Sequence, residues 1–116
     1  MPDDTTSPTG VATTLALPTR YGSTVYRSRL EARWGLFFDY LRIPFVYEPE
    51  GFDLPSGRYL PDFWLPSVHT YFEVKGQEPT ERESTLAWEL HEATGQRVVV
   101  AWGGLPNGYR FWRGSK

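Results

Sequence analysis

Between Ser28 and Leu41 the apolar residues Leu30, Trp34, Phe37, Phe38 and Leu41 recur at about 100° per residue, the period of an α-helix, and Pro44 closes the run. Glu31 projects just beyond the Phe38 edge of that stripe, while Leu36 and Tyr40 share the far face with Arg29 and Arg33 and suggest a partner surface. After the helix the pattern changes to short apolar runs. Pro44 to Glu50, with Phe45, Val46 and Tyr47, predicts a first strand, and Gly51 to Gly57 a turn-rich connection. Arg58 to Leu65 predicts a second strand interrupted by Pro61, and Tyr71 to Lys75 a third. Thr80 with Glu83 three residues on forms a capping box, Leu86, Leu90 and Ala93 give the following helix its inner face, and Gly95 stops it. The β-branched run Val98-Val99-Val100 within Arg97 to Trp102 predicts a strand buried on both faces, and Tyr109 to Trp112 a short last strand. The order is helix, three strands, helix, strand, which predicts an α/β fold.

Residues 1 to about 20 are rich in Thr, Pro and Asp without an apolar period and predict a flexible tail, leaving residues 21–116 as a single domain. A chain of 116 residues with 16% aromatic content is the right size for one core. The absence of cysteine excludes a disulfide framework and cysteine-ligated zinc, fits a reducing cytoplasm, and directs any metal to oxygen ligands. Met1-Pro2-Asp3-Asp4 carries acid where a secretory signal carries base, and no segment approaches a membrane span, so a cytoplasmic protein with no membrane partner is expected. A net charge of −2 does not announce a polyanion partner. Local charge does: Arg20, Arg27, Arg29, Arg33 and Arg42 make one stretch basic, and Arg97, Arg110, Arg113 and Lys116 make a second. Both are candidate phosphate contacts.

Of twelve basic residues only Lys75 and Lys116 are lysine. Lys75 ends Glu73-Val74-Lys75, and Pro61-Asp62 stands upstream. On a strand, Glu73 and Lys75 point to one face while Phe72 and Val74 turn to the other. If the second and third strands pair as a hairpin, Asp62 comes beside Glu73. Two carboxylates so placed repel unless a cation lies between them. Mg²⁺ or Mn²⁺, held by Asp62, Glu73, the Val74 carbonyl and water, would polarise a phosphoryl oxygen and acidify a bound water. The compact ammonium of Lys75 would orient that water and stabilise charge developing on the phosphate.

Glu31, Pro61-Asp62 and Glu73-Val74-Lys75, in that order, resemble the PD-(D/E)XK nuclease superfamily, which includes restriction enzymes, junction-cleaving endonucleases and repair exonucleases. The resemblance covers roughly Ser28 to Trp102. Tyr47 to Phe52 and Tyr59 to Trp64 also resemble small phage and bacterial members. It implies a restriction-endonuclease-like core of helix, three strands, helix and strand around a mixed sheet. It further implies Asp62 and Glu73 as metal ligands, Lys75 as the catalytic lysine and Glu31 as a first-helix acid supporting the metal. The expected function is metal-dependent hydrolysis of DNA phosphodiester bonds. The alternatives are an RNA- or junction-specific nuclease of the same fold, or a nonenzymatic nucleic-acid-binding or assembly module.

Each motif also has a plain reading: Pro-Asp is a common turn signal and Glu-x-Lys a common solvated ion pair. Glu48 is a further candidate ligand for a second metal, although acid in a loop is usually solvated. His69 and His91 lack a partner at ligand spacing. The second helix departs from the pattern, since Glu81, Glu83, Glu89 and Glu92 outnumber Arg82 where a basic or glutamine residue often grips substrate. The small size leaves little room for target recognition, so a homodimer or a guiding protein is an expected partner besides DNA.

Overall fold

The structure, a computed structural model, describes residues 19–21, 24–104 and 110–113. The chain divides into two units, Met1–Arg42 and Ile43–Lys116.

In the first unit β1 (Thr19–Tyr21) pairs antiparallel with β2 (Thr24–Tyr26), and α1 spans Arg29–Tyr40. Strand β1 therefore starts inside the segment expected to be tail; residues 1–18 of that segment lie outside the described residues. Ser28 caps α1, its hydroxyl oxygen accepting the Glu31 amide at 3.1 Å, and the Leu41 amide closes the last turn on the Phe37 carbonyl at 3.0 Å. The buried face is Ala32, Trp34, Gly35 and Phe38. It is rotated from the expected stripe, for Leu30 and Phe37 are only half-buried and Leu41 is 47% exposed. The reason is local: a Cβ at Gly35 would collide with the Tyr26 hydroxyl, so the helix face that meets Tyr26 is the one carrying glycine.

In the second unit β3 (Val46–Tyr47), β6 (Phe63–Leu65), β7 (Thr70–Lys75), β8 (Arg97–Trp102) and β9 (Arg110–Arg113) form a five-stranded sheet in the order β3-β6-β7-β8-β9. It is mixed. β7 and β8 run parallel, joined through α2 (Glu81–Thr94), and the other neighbours are antiparallel. A separate hairpin joins β4 (Phe52–Leu54) to β5 (Gly57–Tyr59). This corrects the expected loop at 51–57 and the expected single strand at 58–65. Gly57, at φ 144°, closes the hairpin, and Pro61, which has no amide to donate, separates β5 from β6.

Thr80 and Glu83 make the reciprocal capping box of α2, and Gly95 ends it in the left-handed region at φ 72°. Leu86, Ala87 and Leu90 pack with Leu54, Tyr59, Val98 and Val100 in one buried cluster. Helix and hairpin thus cover one face of the β7–β8 pair. Both carboxylate oxygens of Glu89 anchor the hairpin turn at Ser56, from the amide at 2.9 Å and the hydroxyl at 2.7 Å. No helix among the described residues is long and apolar enough to cross a membrane.

Candidate active site

The antiparallel register of β6 and β7 sets Phe63 opposite Phe72, so the next residues outward, Asp62 and Glu73, come face to face. They interlock through the backbone. The Asp62 amide donates to Glu73 Oε1 at 2.9 Å, and the Val74 amide donates to Asp62 Oδ2 at 2.8 Å. Both residues are buried, at 3% and 5% exposure. The Glu48 amide donates to the Asp62 carbonyl at 2.7 Å, with Glu48 itself in the left-handed region at φ 49° and its Oε2 shielded from solvent. A sequence reading of Glu48 as solvated loop acid is therefore corrected: it adjoins Asp62.

Lys75 Nζ lies 3.5 Å from Glu73 Oε2 and 3.5 Å from Glu83 Oε2. Burial of the ammonium acts against its charge, but the carboxylates of Glu73, Glu83 and Asp62 outweigh it and raise the pKa above the usual lysine value. At neutral pH Lys75 is a fixed positive charge, able to donate hydrogen bonds and unable to take a proton. Glu83 is held below the ordinary glutamate range, first by its bond with the Thr80 backbone and then by Lys75, against a partial burial penalty.

Tyr59 is the buried neighbour that motif reading passes over. Burial, then the charges of Glu73 and Asp62, push its phenol well above the usual tyrosine value. The sequence places Tyr59 in one strand from Arg58 to Leu65 and does not show the separate pairing of β5 with β4. From the sequence Glu83 is a helix cap and one of the acids of the second helix, with no link to Lys75. Its second role had a signal: an N3 glutamate on the helix that follows β7 in a parallel crossover starts near the strand's carboxyl end, where Lys75 stands.

Comparison with protein-family models, curated proteins and solved structures gives no match.

The second unit brings together Asp62, Glu73, Val74 and Lys75, with Glu48 adjoining, and adds Tyr59 and Glu83. What the bonding pattern gives Val74 is the amide that Asp62 accepts. Glu31 belongs to the first unit, half-buried in the first turn of α1. Arg27, Arg29, Arg33 and Arg42 are exposed in that unit, Arg42 at φ 60°, and Leu36 and Tyr40 are 42% and 83% exposed. In the second unit Arg97 is exposed at the start of β8, while Arg110 and Arg113 lie on β9 opposite Trp102 and Val99. Among the described residues no three acidic, histidine or cysteine side chains gather as a metal cage. His91 is half-buried and its Nδ1 lies 2.7 Å from the Gln96 carbonyl, at the end of α2.

The donor set is thus two buried carboxylates. Each gives one oxygen to a backbone amide, and the other oxygen of Glu73, Oε2, lies 3.5 Å from the Lys75 ammonium. Magnesium is commonly held by one or two carboxylates with waters and substrate phosphate completing its shell, and this pair fits that mode better than a full protein cage.

Proposed function

We propose that this protein is a divalent-metal-dependent nuclease that hydrolyses DNA phosphodiester bonds, an endonuclease of the PD-(D/E)XK type. One observation carries the reading: a buried, cross-strand Asp62–Glu73 pair with the Lys75 ammonium 3.5 Å from Glu73. Two carboxylates removed from water are costly unless positive charge is supplied, and one shared ammonium does not balance Asp62, Glu73 and Glu83. The order of α1, β3, β6, β7, α2 and β8, with β7 and β8 parallel, supports the restriction-endonuclease-like core.

Mg²⁺ or Mn²⁺, held by Asp62 and Glu73, would supply Lewis-acid polarisation of the phosphate and an acidified water. The chain does the positioning. Lys75, fixed as ammonium, orients the attacking water by donating to its oxygen and offsets charge on the phosphoryl oxygens. As that water's oxygen bonds to phosphorus it gives up a proton to solvent, the in-line phosphorus–oxygen bond to the leaving strand breaks, and the leaving oxygen takes a proton from solvent. The backbone bonds to Asp62 and Glu73 keep both carboxylates in place through the reaction. The arginines named above are the phosphate contacts, each within its own unit, and a homodimer or a guiding protein supplies targeting.

A second reading rests on those same backbone bonds: Asp62 and Glu73 would be a structural polar lock, and the protein a nonenzymatic binding module. Cleavage separates the two. Supercoiled plasmid, linear duplex, single-stranded DNA, RNA and a four-way junction are incubated with Mg²⁺ or Mn²⁺. The nuclease reading expects metal-dependent cutting that Lys75→Ala and Asp62→Ala both abolish, and the preferred substrate names the class. No cutting together with no divalent-ion binding by calorimetry overturns it.

A further inference from the structure

Lys75 has two carboxylate neighbours at the same distance, and they differ in every other respect. Glu73 is on the same strand, with its side chain 7% exposed, and is tied to the Asp62 amide. Glu83 comes from the first turn of α2, and its side chain is 38% exposed. Its two oxygens are divided: Oε1 accepts the Thr80 amide at 2.9 Å, and Oε2 faces Lys75 at 3.5 Å. An anion arriving from solvent meets the Glu83 side of the ammonium first, and there it meets a carboxylate oxygen where its own oxygen would have to sit. We infer that Glu83 is a built-in placeholder for the substrate phosphate, occupying the solvent side of Lys75 and yielding it when a nucleic-acid strand binds. This inference rests on the nuclease reading of the site, and it names a further positioning residue, one that acts on the reacting phosphate through Lys75.

The placeholder has a consequence for selectivity. With Glu83 in position the resting site carries three carboxylates around one ammonium, so an isolated anion gains little by entering. A phosphate that arrives with a divalent cation balances the excess and can displace Glu83 from Lys75. Glu83 therefore disfavours metal-free occupation by phosphate, and the capping box holds it ready to return.

Glutamine at the third helical position still accepts the cap amide, so Glu83→Gln keeps the cap and removes only the charge. Binding of fluorescein-labelled single-stranded and duplex oligonucleotides is measured by anisotropy with Ca²⁺ present, and again with chelator. The expected result for Glu83→Gln is tighter binding by about two- to fivefold, the range an exposed ion pair spans. The gain should be larger in chelator than in Ca²⁺, and the salt dependence should steepen by up to about 0.9 in slope, one phosphate contact. On a Lys75→Met background the same substitution should give no gain, and Glu81→Gln, an equal charge change on the exposed surface of the same helix, should give less. If Glu83→Gln tightens binding equally with or without Lys75, or leaves it unchanged while DNA is bound and cut, the placeholder role is overturned and the nuclease reading stands. If no form binds or cuts nucleic acid, both fall.

Discussion

Glu89 on α2 holds Ser56 in the turn of the β4–β5 hairpin with both carboxylate oxygens, at 2.9 Å from the amide and 2.7 Å from the hydroxyl. The two residues are 33 apart in sequence, and the hairpin they fix carries Tyr59 to Glu73. A half-buried hydrogen bond to a charged acceptor contributes about 1.5–3 kcal/mol. Glu89→Ala should therefore lower unfolding stability by that amount in urea denaturation, and Ser56→Ala, which keeps the amide bond, by about 1 kcal/mol. Hydrogen exchange should accelerate first in residues 52–59. Equal stability of Glu89→Ala and wild type would show that packing alone holds the hairpin.

Gly35 tests the close approach of Tyr26 to α1. Alanine normally stabilises a helix interior by up to about 1 kcal/mol over glycine. Here the added Cβ meets the Tyr26 hydroxyl and the ring atom Cζ at 2.6 Å, closer than real carbon contacts allow. Gly35→Ala should cost about 1–3 kcal/mol in thermal or urea unfolding, the usual penalty of overpacking. Adding Tyr26→Phe, which removes the nearest atom, should recover part of the loss. A stabilised Gly35→Ala protein would mean that the hairpin and helix separate freely.

Alkaline stability follows from the tyrosines. Tyr59, Tyr26 and Tyr71 all have phenols raised above the ordinary value, each chiefly by burial, with Glu73, Asp39 and Glu50 respectively adding to it. The folded state thus favours the protonated phenol. That contribution is fully present below the unfolded pKa of about 10 and is lost as the pH rises above it, because the unfolded chain ionises first. Stability should fall steeply above about pH 10. In ultraviolet titration of phenolate, Tyr59 should ionise only with unfolding, and Tyr59→Phe should remove its share of the alkaline loss. A Tyr59 that titrates normally in the folded protein would contradict its burial against Glu73.

Local signals carried most of the architecture. Thr80, Glu83 and Gly95 bounded α2 because caps depend on a few adjacent residues, and the valine run of β8 declared itself by length and branching. Glu73 and Lys75 could be assigned to one face because strand periodicity is two. Periodicity could not show that this face is covered as well. Glu73 is buried because α2 and the β4–β5 hairpin lie over the neighbouring strands, an effect of residues distant in sequence. For the same reason Tyr59 was hidden inside a run read as one strand, and the second function of Glu83 depended on where a crossover helix begins. The buried face of α1 keeps Trp34 and Phe38 of the apolar stripe but turns from Leu30 and Leu41 toward Ala32 and Gly35, and at Gly35 the Tyr26 hydroxyl leaves no room for a Cβ.

The acid pair gives a stability test of the metal that is independent of cleavage. Asp62 Oδ2 accepts the Val74 amide at 2.8 Å, a bond that an amide oxygen can also accept, so Asp62→Asn keeps the lock while removing one of two facing negative charges. In chelator this variant should be as stable as wild type or more stable by up to ~1 kcal/mol, because a buried like-charge repulsion is relieved. Mg²⁺ should separate the two proteins. A ligand that binds only the folded state at a hundred times its dissociation constant adds about 2.7 kcal/mol. Wild type should gain that stabilisation and a higher Tm, Asp62→Asn should gain almost none, and cleavage should disappear in the same variant. If Mg²⁺ raises the Tm of both proteins equally, the cation binds elsewhere and the Asp62–Glu73 pair is a structural lock alone.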